Sequence, residues 1–392
     1  MGRDWPANLP QHGAPLASSA RLVDAQAMST LAELLDEAYE ALYDGQLDAA
    51  RQALDKARRH DAGKGKGQSA EVRLFEIELL DAEGKSEEAV SAAEEALEEL
   101  PKSMLLKLRL STLLLDVYDD VLGARPHLEE LLARLDKGEP TDAASPGEGA
   151  DEKADARDDF LLEVLLTLSD ARAADHDPKG ALDAAERASK TAPDDAMARV
   201  ALGAAQFDNC KIDDAEKSVA QAIDRDPRCA DAFWLRGRVL TAKGDDEGAD
   251  KAFARAITLD EERFQKPFRI AEDGFAKLME ESYEELPAQV KKYLKNVAVT
   301  VEDVPDLARL TSSDPPLSPG SLGLYEGTPP SLAPGDDPWS HFPSRITLFR
   351  KNIEISSTSE DELKDLVSST LLHEVGHYLG LDEDDLDERG LG

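Results

Sequence analysis

Two histidines and a glutamate near the end of the chain have the residue types and spacing for metal-dependent hydrolysis. They sit in the run Thr370-Leu371-Leu372-His373-Glu374-Val375-Gly376-His377-Tyr378-Leu379-Gly380. On an α-helix of about 3.6 residues per turn, positions i and i+4 lie one above the other on one face, so His373 and His377 can share one metal ion. Zinc accepts neutral imidazole nitrogens, and a catalytic zinc site has three protein ligands and one position for water. The two histidines supply two of the three. Glu374, beside the first ligand, suits the general base that takes the proton of that water.

A helix must present these groups, and the flanking residues specify one. Ser359 and Glu362 have the Ser-x-x-Glu spacing of a capping box, which predicts a start there. Leu363, Leu366, Val367 and Thr370 follow at i, i+3, i+4 and i+7, an amphipathic series that leads onto the histidine turn. Gly380 stands where a helix ends in the left-handed region. For the third ligand, a glycine three residues after the second histidine with a ligand three further on is the metzincin arrangement, which points to Glu383. Asp382 and Asp384 are carboxylates within the same turn and stay open as alternatives, with His341 a fourth candidate. Tyr325 and Tyr378 are candidate hydroxyl donors to a tetrahedral intermediate, though packing explains each more simply.

The 392 residues carry 45 basic against 82 acidic side chains, a formal net charge of -37. Such a surface repels phosphate backbones and anionic lipid, which argues against nucleic-acid and membrane-surface functions and favours basic partners. Only two cysteines occur, Cys210 and Cys229, in keeping with free thiols in a reducing compartment. The first residues lack the apolar stretch of a signal peptide, and no run approaches the ~20 apolar residues of a membrane span. The expected location is the cytoplasm.

From about Leu31 to residue 263 the chain is rich in alanine and punctuated at a fixed interval. Ala181, Ala215 and Ala249 are 34 residues apart, as are Ala188, Ala222 and Ala256, and Pro193 and Pro227. A 34-residue helix-turn-helix period with small residues at fixed places marks stacked helical pairs. Phe233, Gly237, Leu240, Gly244, Ala249, Phe253 and Ala256 in one unit, and Leu202, Gly203, Ala215, Val219, Ala222 and Pro227 in another, resemble the tetratricopeptide repeat family. That resemblance implies a groove for a protein or peptide partner. Residues 138–159 are rich in Gly, Pro, Asp and Glu and are expected to form a flexible acidic insertion. Residues 1–30 are expected to form a flexible tail.

After Ala271 the pattern changes to two helices, Glu272 to Tyr283 and Pro287 to Lys295, and then to strands. The β-branched run Val297 to Val301 predicts a first strand, Leu322 to Glu326 a second and Arg345 to Arg350 a third. The segments Asn296-Val297-Ala298-Val299, Leu322-Gly323-Leu324-Tyr325-Glu326-Gly327, Arg345-Ile346-Thr347-Leu348-Phe349-Arg350 and Thr370-Leu371-Leu372-His373-Glu374 resemble the small bacterial zincin-like metallopeptidases. The resemblance implies a minimal zincin with Zn2+ on His373 and His377 and with Glu374 as catalytic base. The family usually has Asp at the position held here by Glu383. The expected architecture is therefore multidomain, an all-α repeat solenoid over 31–263 followed by a small α+β domain over 272–392. Two functions follow, a zinc metallopeptidase whose repeats recruit a substrate, or a repeat-based scaffold whose zinc-binding domain does not turn over.

Overall fold

The computed structural model describes residues 30–62, 68–142, 150–286, 288–294, 297–327, 344–381 and 385–386. The expected tail before Thr30, the middle of the acidic insertion and the ligand candidates His341, Asp382, Glu383 and Asp384 lie outside the described residues. The chain divides into two compact units, Pro6–Ala192 and Pro193–Gly392.

The first unit is built of helix pairs: α1 (Leu31–Tyr43) with α2 (Leu47–Ala62), α3 (Ala70–Ala82) with α4 (Ser86–Glu99), α5 (Met104–Tyr118) with α6 (Val121–Asp136), and α7 (Ala150–Ala174) with α8 (Pro178–Thr191). Each core is shared between neighbours, as stacking requires of units that cannot bury an apolar face alone. Leu35 and Ala38 of α1 pack with Ala50, Ala53, Leu54 and Ala57 of α2 and with Val72, Phe75 and Leu79 of α3.

The acidic insertion is shorter than the sequence suggests. Residues 150–159, expected to be flexible, form the first turns of α7. Ala154 and Ala156 favour helix, Glu152 near the start complements the helix dipole, and the helix runs on into buried Phe160 and Val164. Asp142 is also tied down, because its Oδ1 accepts from the backbone N–H groups of Met104 at 2.9 Å and Leu105 at 3.1 Å.

In the second unit, α9 (Ala196–Asp208) pairs with α10 (Ile212–Arg225) and α11 (Ala230–Ala242) with α12 (Asp246–Leu259). Ala215, Ala249, Ala222 and Ala256 are all buried, as their spacing predicts. Gly237 shows why small residues recur: a Cβ there would lie 2.4 Å from the Phe253 ring, so only glycine lets α11 and α12 come this close. The period is also written in the turns. His176, Cys210 and Gly244, spaced by 34 residues, all take positive φ, at 52°, 57° and 77°.

The remainder is the small α+β layer: α13 (Glu272–Glu285), α14 (Ala288–Tyr293), β1 (Ala298–Glu302), α15 (Leu307–Leu310), β2 (Gly323–Glu326), β3 (Arg345–Phe349), α16 (Arg350–Ile355) and α17 (Glu360–Leu379). All three expected strands are present in a sheet of order β1-β3-β2, with β1 parallel and β2 antiparallel to the central β3. Leu363, Val367, Leu371 and Val375 of α17, four residues apart, bury one stripe with Ile346 and Leu348 of β3 and Phe275 of α13. Fully burying such side chains stabilises by roughly 1.5–3 kcal/mol each, which fixes the helix rigidly on the sheet. Arg309 of α15 ties the three strands, with Nη1 donating to Glu302 at 2.8 Å and Nη2 to Glu326 at 2.6 Å and to the Thr347 hydroxyl at 3.3 Å.

Candidate metal centre

Helix α17 carries the motif, and its ends are set locally. Ser359 caps the start by accepting from the Glu362 N–H at 3.2 Å. The reciprocal arm of the expected capping box goes elsewhere, since Glu362 Oε2 accepts from the Thr358 N–H at 2.8 Å and hydroxyl at 2.6 Å. Gly380 ends the helix at φ 90°, and the Leu381 N–H donates back to the Gly376 carbonyl at 3.1 Å. This turn brings the Leu381 carbonyl to His377.

The two imidazoles converge. His377 Nε2 and His373 Nε2 stand 3.0 Å apart, with the ring planes at 89°. Two bonds of about 2.05 Å at a tetrahedral angle would span roughly 3.3 Å, so this pair fits zinc closely. The other nitrogen of His377, Nδ1, lies 3.1 Å from the Leu381 carbonyl oxygen. A carbonyl only accepts, so Nδ1 carries the hydrogen, assigned here from its partner, and Nε2 keeps its lone pair for a metal. His373 is buried, which limits competing hydration.

Among the described residues, no group of three or more His, Cys, Asp or Glu side chains gathers as a metal cage. The residues on either side of 382–384 are nevertheless held to the motif. A Cβ on Gly376 would lie 2.3 Å from Leu386 Cδ2 and 3.7 Å from Leu381 Cδ1, so both leucines press on the glycine between the ligands. Leu386 is fully buried.

Glu374 is buried against β2. A Cβ on Gly323 would fall 2.7 Å from Glu374 Oε1, 2.8 Å from its Cγ and 2.9 Å from Thr370 Cγ2. Only glycine lets this strand pass so close to the carboxylate. Gly323 and Tyr325 pair with Leu348 and Ile346, and therefore share the sheet face that α17 covers. The Tyr325 and Tyr378 rings meet edge to face at 5.8 Å, and the Tyr325 hydroxyl lies 3.3 Å from Ser344 Oγ. Burial raises the Tyr325 phenol, opposed by Ser344. Packing accounts for Tyr325.

Residues 294–392 match the family described as Zincin-like metallopeptidase. The carboxy-terminal region is zincin-like. The match begins later than Glu272, yet α13 belongs to the same core through Phe275. Residues 35–103 and 205–263 match the family described as Tetratricopeptide repeat. No curated protein matches the chain. Among solved structures, YrrB, titled a TPR protein with an unusual peptide-binding site, is 20% identical with a TM-score of 0.35, over 54% of this chain and 93% of its own. PilF of Pseudomonas aeruginosa is 14% identical with a TM-score of 0.44, over 59% and 92%. TTC0263, a TPR protein of Thermus thermophilus, is 17% identical with a TM-score of 0.38, over 54% and 97%.

Sequence reasoning placed His373, Glu374 and His377 on one helix but missed three groups that pack around these candidates: the Leu381 carbonyl, Leu386 on Gly376, and Gly323 on Glu374. The signal for the last was present in Leu322-Gly323-Leu324-Tyr325, a glycine opening a strand, where close backbone approach is its usual reason.

Proposed function

We propose that this protein is a zinc-dependent peptidase, residues 272–392 cleaving a peptide bond and residues 31–263 recruiting the protein or peptide partner. The convergence of two imidazole nitrogens at 3.0 Å, one of them oriented by a backbone carbonyl, is the observation that carries the reading. His373 and His377 would hold the ion, with the third ligand drawn from 382–384 and Glu383 at the metzincin spacing. A zinc ion there supplies Lewis-acid polarisation of the scissile carbonyl and lowers the pKa of a water to about 7.

Glu374 accepts the proton of the attacking water and returns it to the departing amine nitrogen, so hydrolysis consumes one water and leaves the carboxylate as it began. Gly323 keeps that carboxylate against the strand. Strand β2 pairs with β3 along one edge, and among the described residues no strand covers its other edge. An extended substrate adding to that edge by main-chain hydrogen bonds would pass beside Glu374. The net charge of -37 favours basic partners for the repeats. Among the described residues, no helix is long and apolar enough to cross a membrane, and both cysteines are free thiols. The cytoplasm is the compartment we assign.

The test is cleavage of a peptide library by the zinc-loaded chain beside Glu374→Gln. The variant should keep its zinc and lose about 10²–10⁴-fold in rate, the usual contribution of a general base. Equal cleavage by both proteins would remove Glu374 from the chemistry. Zinc binding without cleavage in either would favour the scaffold reading.

A further inference from the structure

We propose that the last two repeats are part of the catalytic apparatus, with Asp208 and Arg238 as positioning residues that act through segment 317–321 on Gly323 and hence on Glu374. The inference rests on the peptidase reading and adds to it a mechanical role for the repeats.

The segment before β2 is gripped from two sides within the second unit. On the repeat side, the Ser318 hydroxyl donates to Asp208 Oδ1 at 2.7 Å, and the Cys210 thiol donates to the Leu317 carbonyl at 3.2 Å. The Arg238 guanidinium lies over the Phe207 ring at 5.0 Å and close against Gly320, where a Cβ would fall 2.4 Å from Nη2. On the other side, the buried Asn352 of α16 donates from Nδ2 to the Pro319 carbonyl at 2.8 Å and the Ser321 carbonyl at 2.7 Å. Alternate carbonyls, at 317, 319 and 321, are thus all held. The segment also closes on itself as a turn, the Ser321 N–H donating to the Ser318 carbonyl at 3.0 Å, so its path into β2 is fixed from inside as well as from both flanks.

The clamp is itself anchored to the repeats. Lys351, next to Asn352, donates to both oxygens of Asp246 at 2.7 and 2.9 Å. Ile355 of α16 is buried with Trp234, Phe253 and Phe264. Burial pushes the Asp208 carboxyl up, against the Arg238 charge and the Ser318 hydrogen bond. Beyond Ser321 the slack is small. The Leu322 carbonyl accepts from the Phe349 N–H at 2.8 Å, and the next residue is Gly323, in contact with Glu374. Loosening the grip at Ser318 therefore loosens the strand that packs on the catalytic carboxylate.

The experiment uses the full zinc-loaded chain and compares Asp208→Ala, Asp208→Asn, Ser318→Ala and the double variant Asp208→Ala/Ser318→Ala. Readouts are zinc content, kcat and KM on a reporter peptide, and amide hydrogen exchange in β2. Asp208→Ala should keep its zinc and KM, lose roughly tenfold in kcat, and exchange its β2 amides roughly tenfold faster through local opening. Asp208→Asn still offers an acceptor to Ser318 and should restore most of both. The double variant should be no worse than Asp208→Ala, because both members of one hydrogen bond are already lost. If Asp208→Ala fails to fold, Ser318→Ala removes the same bond with one atom and decides the question. Unchanged β2 exchange and unchanged kcat would overturn the proposal with the peptidase reading intact. A wild-type chain that cleaves nothing while Asp208→Ala speeds β2 exchange would overturn the peptidase reading and leave the link from repeats to strand standing.

Discussion

Substituting Gly323 by alanine adds a single methyl group at the point where β2 meets Glu374, and its effect can be worked from the geometry. The new Cβ would lie 2.7 Å from Glu374 Oε1, with 2.8 Å to Cγ and 2.9 Å to Thr370 Cγ2. Ordinary carbon contacts begin near 3.5 Å, so something must give by roughly 0.8 Å. The helix side resists, because Leu371 and Val375 anchor that turn in the core, and β2 is held by its ladder to β3. The carboxylate is the part most free to move, and it moves away from the place where the water's proton must be taken. Displacement near 1 Å costs about 10²-fold in rate, or roughly 2.7 kcal/mol in the barrier. The assay is kcat on a reporter peptide with zinc content measured on the same sample. We expect full zinc, a KM near wild type and kcat down by about two orders of magnitude. A Gly323→Ala protein with stoichiometric zinc and wild-type kcat would refute the steric argument and with it the role given to Glu374.

Further outcomes follow from other contacts. Gly376→Ala places a methyl 2.3 Å from Leu386 Cδ2; overpacking of this kind costs about 1–3 kcal/mol, so thermal stability should fall and zinc affinity should weaken as the turn after Gly380 is pushed off. His176 sits at φ 52° in an exposed turn, a conformation that costs a non-glycine residue about 1–2 kcal/mol. Part of that is offset by glycine's greater unfolded entropy, so His176→Gly should stabilise by about 0.5–1 kcal/mol in denaturant titration. Glu163 is exposed on α7 yet crowded by the atoms around it, and that loss of hydration, reinforced by Glu78 and opposed by Arg109, raises its carboxyl to about 7. An unfolded glutamate ionises near 4.3, so the folded chain holds this proton more tightly. The associated stability is fully present below about pH 4.3 and is lost as pH rises through about 7. Glu163→Gln should flatten that decline in melts recorded across the window, and an unchanged profile would show that Glu163 does not titrate there.

Much of this architecture is legible in the chain because its causes are local. The 34-residue spacing of Ala181, Ala215 and Ala249 reports helix pairing, since a stacked repeat needs a small residue at the same crossing each time. Ser359 and Gly380 mark the ends of α17 through hydrogen bonds to their own neighbours. What escaped depends on contacts distant in sequence. Nothing near Arg350 says that the strand gives way to α16, because Ile353 and Ile355 fit either element until their burial partners are known. The reciprocal arm of the capping box was lost to Thr358, an equally near donor. Asp142 reaches back to cap α5 from an acidic stretch whose composition advertises only solvation. The approach of Gly323 to Glu374 at the candidate centre joins residues fifty-one positions apart. Only the fold brings them together.

The buried seam between α13 and α17 bears on how this protein can be taken apart. A fragment begun at Leu294, where the family match starts, would discard Phe275 and strip the cover from Leu363 and Val367. One begun at Glu272 would keep that cover but sever Asp246 from Lys351 and Asp208 from Ser318. The compact unit that retains every one of these contacts opens at Pro193, inside the repeat array, so the sensible cut for dissection lies between two repeats and not at the edge of the zincin-like region.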